Sequence, residues 1–133
     1  MTYELEYDAR VLGRQTYSAT VTPETFIDQI SPARTFLLKS EADALQGQGL
    51  GRRVTYQDVL VFDEKEGLLD NELRFKDECA RHKLLDVIGD FALLGTDVIG
   101  KFTAHRSGHY LNSQMVFALL QQNEMTVPVR KSA

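Results

Sequence analysis

Apolar and polar residues alternate from residue 2 to residue 8, with Tyr3, Leu5 and Tyr7 on one side and Glu4, Glu6 and Asp8 on the other. A period of two is the pattern of a half-buried strand. The alternation returns from Gln15 to Val21, after Leu12-Gly13, so the two stretches are expected to form a hairpin. Thr22-Pro23-Glu24-Thr25 then opens a short helix, with Thr22 as N-cap and Pro23 at the first helical position, ending near Ser31-Pro32. Ala33 to Leu38 reads as apolar and extended. Ser40-Glu41-Ala42-Asp43 begins a second short helix that runs out in the loop Gln46-Gly47-Gln48-Gly49.

Val59 to Phe62 has the composition of a short buried strand and is followed by the acidic turn Asp63-Glu64-Lys65-Glu66-Gly67. A long helix is expected from near Arg74 to Leu94, with Gly95 as its C-cap. Gly89 inside it weakens the helix and so suggests close packing or a ligand. Val98 to Ala104 reads as a strand, and a last amphipathic helix runs from about Gly108 through Leu120. Residues 1–123 form one domain, and residues 124–133 read as a disordered tail. The interleaved elements and the opening hairpin predict an α+β fold, a mixed sheet covered on one side by helices.

Composition narrows the function. The 133 residues are 43% hydrophobic and 26% charged, with a net charge of -4, so nothing attracts nucleic acid in general and an anionic ligand needs a local basic cluster. One cysteine, Cys79, rules out an internal disulfide and suggests a reducing compartment. The N-terminus lacks a signal-peptide pattern, and no apolar run is long enough for a transmembrane segment, so a cytoplasmic location is expected.

The candidate chemistry lies in the long helix, at Arg81-His82-Lys83-Leu84-Leu85-Asp86-Val87-Ile88-Gly89-Asp90. Helical spacing puts His82, Asp86 and Asp90 on one face and Leu84, Val87, Ile88 and Phe91 on another. An imidazole and a carboxylate four residues apart can share one divalent metal, although the same spacing also suits a simple surface pair. Arg106-Ser107-Gly108-His109-Tyr110-Leu111-Asn112 reads as a polar turn that sets His109 at a helix N-terminus. The positive dipole end there disfavours imidazolium, and a carboxylate such as Asp90 would restore the charge and orient the ring. An exposed histidine in a capping turn is the plainer alternative. Lys83, with Arg81 and Arg106, could face a phosphate. Cys79 reads as a small buried hydrophobe rather than a ligand.

These segments, with Ala33-Arg34-Thr35-Phe36 and Leu73-Arg74-Phe75-Lys76-Asp77-Glu78, resemble the second half of the zinc-dependent UDP-3-O-acyl-N-acetylglucosamine deacetylases of lipid A synthesis. The resemblance runs from about Tyr3 to about Leu120. It implies one of the two similar layers of the deacetylase fold, with Zn2+ as cofactor and UDP-3-O-acyl-N-acetylglucosamine as substrate. It further implies that His82 and Asp86 are zinc ligands and that Lys83 contacts the anionic head group. His109 is implied as charged partner or general acid to the leaving amine, with Asp90 holding its ring. Thr35 is implied to hold the oxygen of the tetrahedral intermediate, and Phe36 to line the substrate site.

The chain also departs from the family pattern. Members are roughly twice as long, and their first half supplies a third zinc ligand and a glutamate base that have no counterpart here. In the segment of the acyl-chain passage, where relatives are glycine-rich, stands Gly51-Arg52-Arg53-Val54-Thr55-Tyr56. The expectation is therefore the C-terminal catalytic half of a deacetylase, as a fragment or one of a split pair, with an N-terminal half as partner. The competing readings are a non-catalytic module that keeps the fold and nucleotide-sugar binding, and an interaction domain without a small-molecule ligand.

Overall fold

The computed structural model describes residues 1–123, so the expected tail at 124–133 lies outside the described residues. In chain order the elements are β1 (Thr2–Glu6), β2 (Arg14–Ser18), α1 (Pro23–Thr25, continued by a π turn over Phe26–Ile30), β3 (Phe36–Leu38) and α2 (Lys39–Gly47). There follow β4 (Leu60–Asp63), β5 (Gly67–Leu68), α3 (Glu78–Phe91, extended by a 3₁₀ turn over Ala92–Leu94), β6 (Thr103–His105) and α4 (His109–Asn123). The α+β class holds. The mixed pairing is divided between two three-stranded sheets, ordered β2-β1-β6 and β3-β4-β5.

The opening hairpin forms as the alternation predicts, with Tyr3 opposite Tyr17 and Leu5 opposite Gln15. On its other edge β1 takes β6 in parallel, Thr2 against Thr103 and Glu4 against His105. The strand expected from Val98 to Ala104 is observed as Thr103–His105, the residues that pair with Thr2–Glu4 of β1. Before it, the Phe102 ring lies over Gly100 and meets the edge of Phe91, with ring centroids 5.3 Å apart. In the second sheet β3 and β4 run parallel, with α2 between them in sequence, and β5 returns antiparallel to β4.

Thr22 caps α1 as its sequence predicts, the Thr25 amide donating to the Thr22 hydroxyl at 3.2 Å and the Thr22 amide to the Thr25 hydroxyl at 2.9 Å. Gly95 ends the α3 extension in the left-handed region, φ 66°. The start of α3 is corrected from Arg74 to Glu78. The fully buried Glu78 carboxylate accepts the Arg74 amide at 2.6 Å and the Arg34 amide at 3.0 Å, which holds residues 74–77 in a turn outside the helix. Of the two readings of Gly89, close packing within this chain is set aside: the residue is exposed, and a Cβ there would meet no atom within 4 Å.

One core joins these parts. Leu84, Val87 and Phe91 on α3 pack with Tyr3 and Leu5 of β1, Tyr17 of β2, Phe36 of β3 and Leu60 of β4. Burying apolar area at roughly 25 cal/mol per Å² makes this face the main force that seats α3. Ile88 lies at its margin, half-buried. Among the described residues, no helix is long and apolar enough to cross a membrane.

Candidate active site

The seating of α3 fixes which way its polar face looks. His82, Asp86 and Asp90 follow one another at single-turn intervals, each step a rise of about 6 Å, and all three are partly exposed. The His82 Nδ1–H donates to the Ala33 carbonyl at 3.1 Å, since a carbonyl can only accept. Its other nitrogen, Nε2, therefore carries the free lone pair, and it stands 3.6 Å from Asp86 Oδ1. A backbone carbonyl that selects the tautomer of one ring nitrogen and turns the other toward a carboxylate is the usual support of a metal-binding imidazole. The pair thus fits a divalent cation, with two protein ligands. Among the described residues no group of three or more His, Cys, Asp and Glu side chains is placed to hold a metal ion.

Lys83 is not free. Its Nζ donates to Asp86 Oδ2 at 2.8 Å, so the two oxygens of Asp86 face an ammonium and an imidazole. Lys83 also lines an open cleft of about 660 Å³ together with Tyr3, Tyr7, Leu38, Arg106 and Gly108. Arg106 occupies a left-handed turn, φ 48°, at the mouth of the Ser107-Gly108-His109 segment. Arg81 is withdrawn from any such role. Its guanidinium is held over the rings of Tyr17 and Phe75, 4.0 and 4.2 Å from their centroids, and its Nε pairs with Asp77 at 2.6 Å.

The second pair forms as the sequence suggests. His109 opens α4, and its Nδ1 meets Asp90 Oδ2 at 2.9 Å and Oδ1 at 3.1 Å. Thr35 is exposed just before β3, two residues beyond the carbonyl that orients His82, and its own carbonyl accepts the Leu60 amide. Phe36 turns inward, only 8% exposed, with its ring edge to face against Tyr7 at 5.7 Å, so it presents little surface to a ligand. Cys79 is fully buried, and burial, partly offset by its Gln15 contact, pushes its thiol up to about 12.

Some of the supporting residues carried no sequence signal. Glu78 closes on Arg34 with a 2.9 Å ion pair, and that grip fixes the backbone next to Ala33, the residue that orients His82. Tyr3 reaches from β1 to donate its hydroxyl to the Ser107 carbonyl, which tethers the turn before His109. Both contacts join residues more than 40 positions apart, beyond the reach of any local pattern.

Away from these pairs, α2 and β4 enclose an apolar cavity of about 300 Å³ whose walls include Leu37, Leu45, Leu50, Val54, Val59 and Val61. Arg52 and Arg53 are not among its lining residues.

The sequence places this chain in a family of hydrolases. It is that of UDP-3-O-acyl N-acetylglycosamine deacetylase, whose model matches residues 1–121, and the chain belongs to it. The chain is 37% identical to the UDP-3-O-acyl-N-acetylglucosamine deacetylase of Syntrophus aciditrophicus over 93% of its own length and 39% of that relative's. It is 41% identical to that of Oleidesulfovibrio alaskensis, covering 92% of this chain and 40% of the relative. For the enzyme of Actinobacillus succinogenes the identity is 39%, again over 92% of this chain and 40% of the relative. The chain therefore spans about two fifths of the length of the curated relatives it matches.

Proposed function

We propose that this chain supplies the C-terminal half of the active site of a zinc-dependent deacetylase that removes the N-acetyl group of UDP-3-O-acyl-N-acetylglucosamine in lipid A biosynthesis. The observation that carries the reading is the juxtaposition of two histidine–aspartate pairs whose aspartates lie one turn apart on α3, His82 with Asp86 within the helix and Asp90 with His109 of α4. Amide hydrolysis needs this division of labour, one pair to hold the group that activates water and one to protonate the departing nitrogen.

In this reading His82 Nε2 and Asp86 are the zinc ligands. When bound, the ion polarises the acetyl carbonyl and lowers the pKa of water. Two protein ligands fall short of the usual three. The third ligand and the glutamate base belong to an N-terminal half, which we propose as the partner. With Asp90 on Nδ1, His109 turns Nε2 to the leaving amine and, as the imidazolium that Asp90 stabilises, gives it the Nε2 proton. The exposed Thr35 hydroxyl donates to the oxygen of the tetrahedral intermediate. Lys83 exchanges its Asp86 contact for the anionic head group, and Phe36 contributes to the wall behind the substrate. The apolar cavity beside α2 suits the acyl chain, with Arg52 and Arg53 outside its lining. The lone cysteine, buried and poorly ionised, is in keeping with a reducing cytoplasmic setting.

The test is to combine this chain with the first-half domain of a relative and measure zinc-dependent release of acetate. His82→Ala and Asp86→Ala are expected to abolish activity and zinc retention together. His109→Ala is expected to lower turnover by about a hundredfold while zinc stays bound. Activity indifferent to the first two substitutions removes the metal assignment.

A further inference from the structure

We infer that Asn112 is a positioning residue that sets the plane of the Asp90 carboxylate and, through it, the ring orientation and tautomer of His109. The inference rests on the proposed role of His109 for its functional meaning, but not for its geometry.

His109 is an exposed side chain, 72% accessible, and its ring is held at Nδ1 by Asp90 alone. An exposed imidazole with one partner points wherever that partner points. Asp90 is itself only 18% accessible, and its Oδ2 accepts a second hydrogen bond, from Asn112 Nδ2 at 2.8 Å. Asn112 is 4% exposed, one of two buried polar or charged residues among those described, so its amide has little freedom to turn. Which end of the amide faces Asp90 is decided chemically. A carboxylate only accepts, so it requires the NH₂ end, and the Asn112 oxygen on the other side accepts the Ser107 hydroxyl at 2.8 Å. Ser107 is in turn anchored through its carbonyl by the buried Tyr3 hydroxyl.

The result is a directed series, Tyr3 to Ser107 to Asn112 to Asp90 to His109, and among the described residues no buried side-chain polar atom is left without a partner. Helical spacing helps to build it, since Asn112 lies three residues after His109 on α4 and both reach across to α3. Buried polar networks of this kind specify one arrangement when every member is satisfied. Here the arrangement keeps the proton on Nδ1 and leaves His109 Nε2 without one in the neutral ring.

The test reads the His109 tautomer by ¹⁵N-edited NMR of the 133-residue chain, with no metal or substrate present. The neutral His109 ring is expected to be mainly the Nδ1–H form. Asn112→Ala is expected to lower the ratio of Nδ1–H to Nε2–H by roughly threefold or more, with the remaining spectrum unchanged. In the Asp90→Asn background the same substitution is expected to leave the ratio unchanged, because the residue acts through Asp90. A folded Asn112→Ala chain with an unaltered ratio overturns the inference, as does an equal shift in both backgrounds. Should Asn112→Ala fail to fold, Ser107→Ala frees the amide to flip and carries the same decision in the same direction. A reconstituted enzyme that never deacetylates, while these shifts appear, sinks the catalytic reading and leaves this inference standing.

Discussion

Glu78 is the residue on which the site's scaffold turns. Burial pushes its carboxyl up, but the Arg34 guanidinium and the Arg34 and Arg74 amides outweigh that and hold it below its ordinary range. The unfolded chain has the higher value, so the stabilisation is complete above a pH of about 4.5 and is lost as the pH falls through the folded-state value. Glu78→Ala leaves Arg34 buried and unpaired and is expected to cost about 3 to 5 kcal/mol. Glu78→Gln should lose more at pH 7 than at pH 3, which urea unfolding at the two pH values measures; equal losses at both would mean the charge is irrelevant. Cys79, with its thiol near 12, is expected to resist thiol reagents at pH 8 until the chain is unfolded, and rapid native labelling would contradict its burial. The two residues differ in what a sequence reveals. Cys79 reads correctly as a small hydrophobe, whereas nothing marks Glu78 as a fully buried charge, since its three partners come from Arg34 and Arg74 and only the fold supplies the first. Arg81 misleads for a similar reason: it looks like part of a basic cluster, but the ring of Tyr17 from the distant β2 and that of Phe75 from the turn before α3 enclose it.

Helix α3 illustrates the same contrast at the level of an element. Its apolar stripe and polar face were legible because a 3.6-residue period needs no knowledge of the rest of the chain. His82 and Asp86 fall together for that reason, as does Asp90 one turn on. Its first turn was not legible, because side-chain capture of the Arg74 amide by Glu78 competes with helix formation there. The meeting of Asp90 with His109 depends on how α4 crosses α3, which local pattern does not fix; the charge argument at the helix N-terminus named Asp90 as a candidate, and the resemblance implied the same pair. Gly89 belongs to this scale as well. With open space around its missing Cβ, Gly89→Ala is expected to raise the stability of this chain by about 1 kcal/mol. A rise in the urea midpoint at constant slope checks it. A fall would mean that an unrecognised contact occupies the space.

At the scale of the molecule, helix α4 carries a run of exposed apolar residues. Tyr110, Leu111, Met115 and Phe117 of α4 are all about half accessible or more, alongside a groove between α4 and β6 that includes Leu111 and Met115. Apolar surface of this kind marks an interaction site, and the proposed N-terminal half is the natural occupant. The chain by itself is expected to self-associate at concentrations of about 0.1 mM in sedimentation velocity, and a first-half domain should suppress this. A monodisperse monomer would count against that face as the docking surface. The strand order β2-β1-β6 has a further effect on how the molecule is made. Strand β1 lies in the middle of its sheet, and its parallel neighbour arrives only at residues 103–105. During translation one flank of that ribbon stays unzipped until nearly the whole domain has left the ribosome. The nascent protein is therefore a natural client for chaperones that shield open β edges, and slow synthesis past residue 105 would lengthen that exposure.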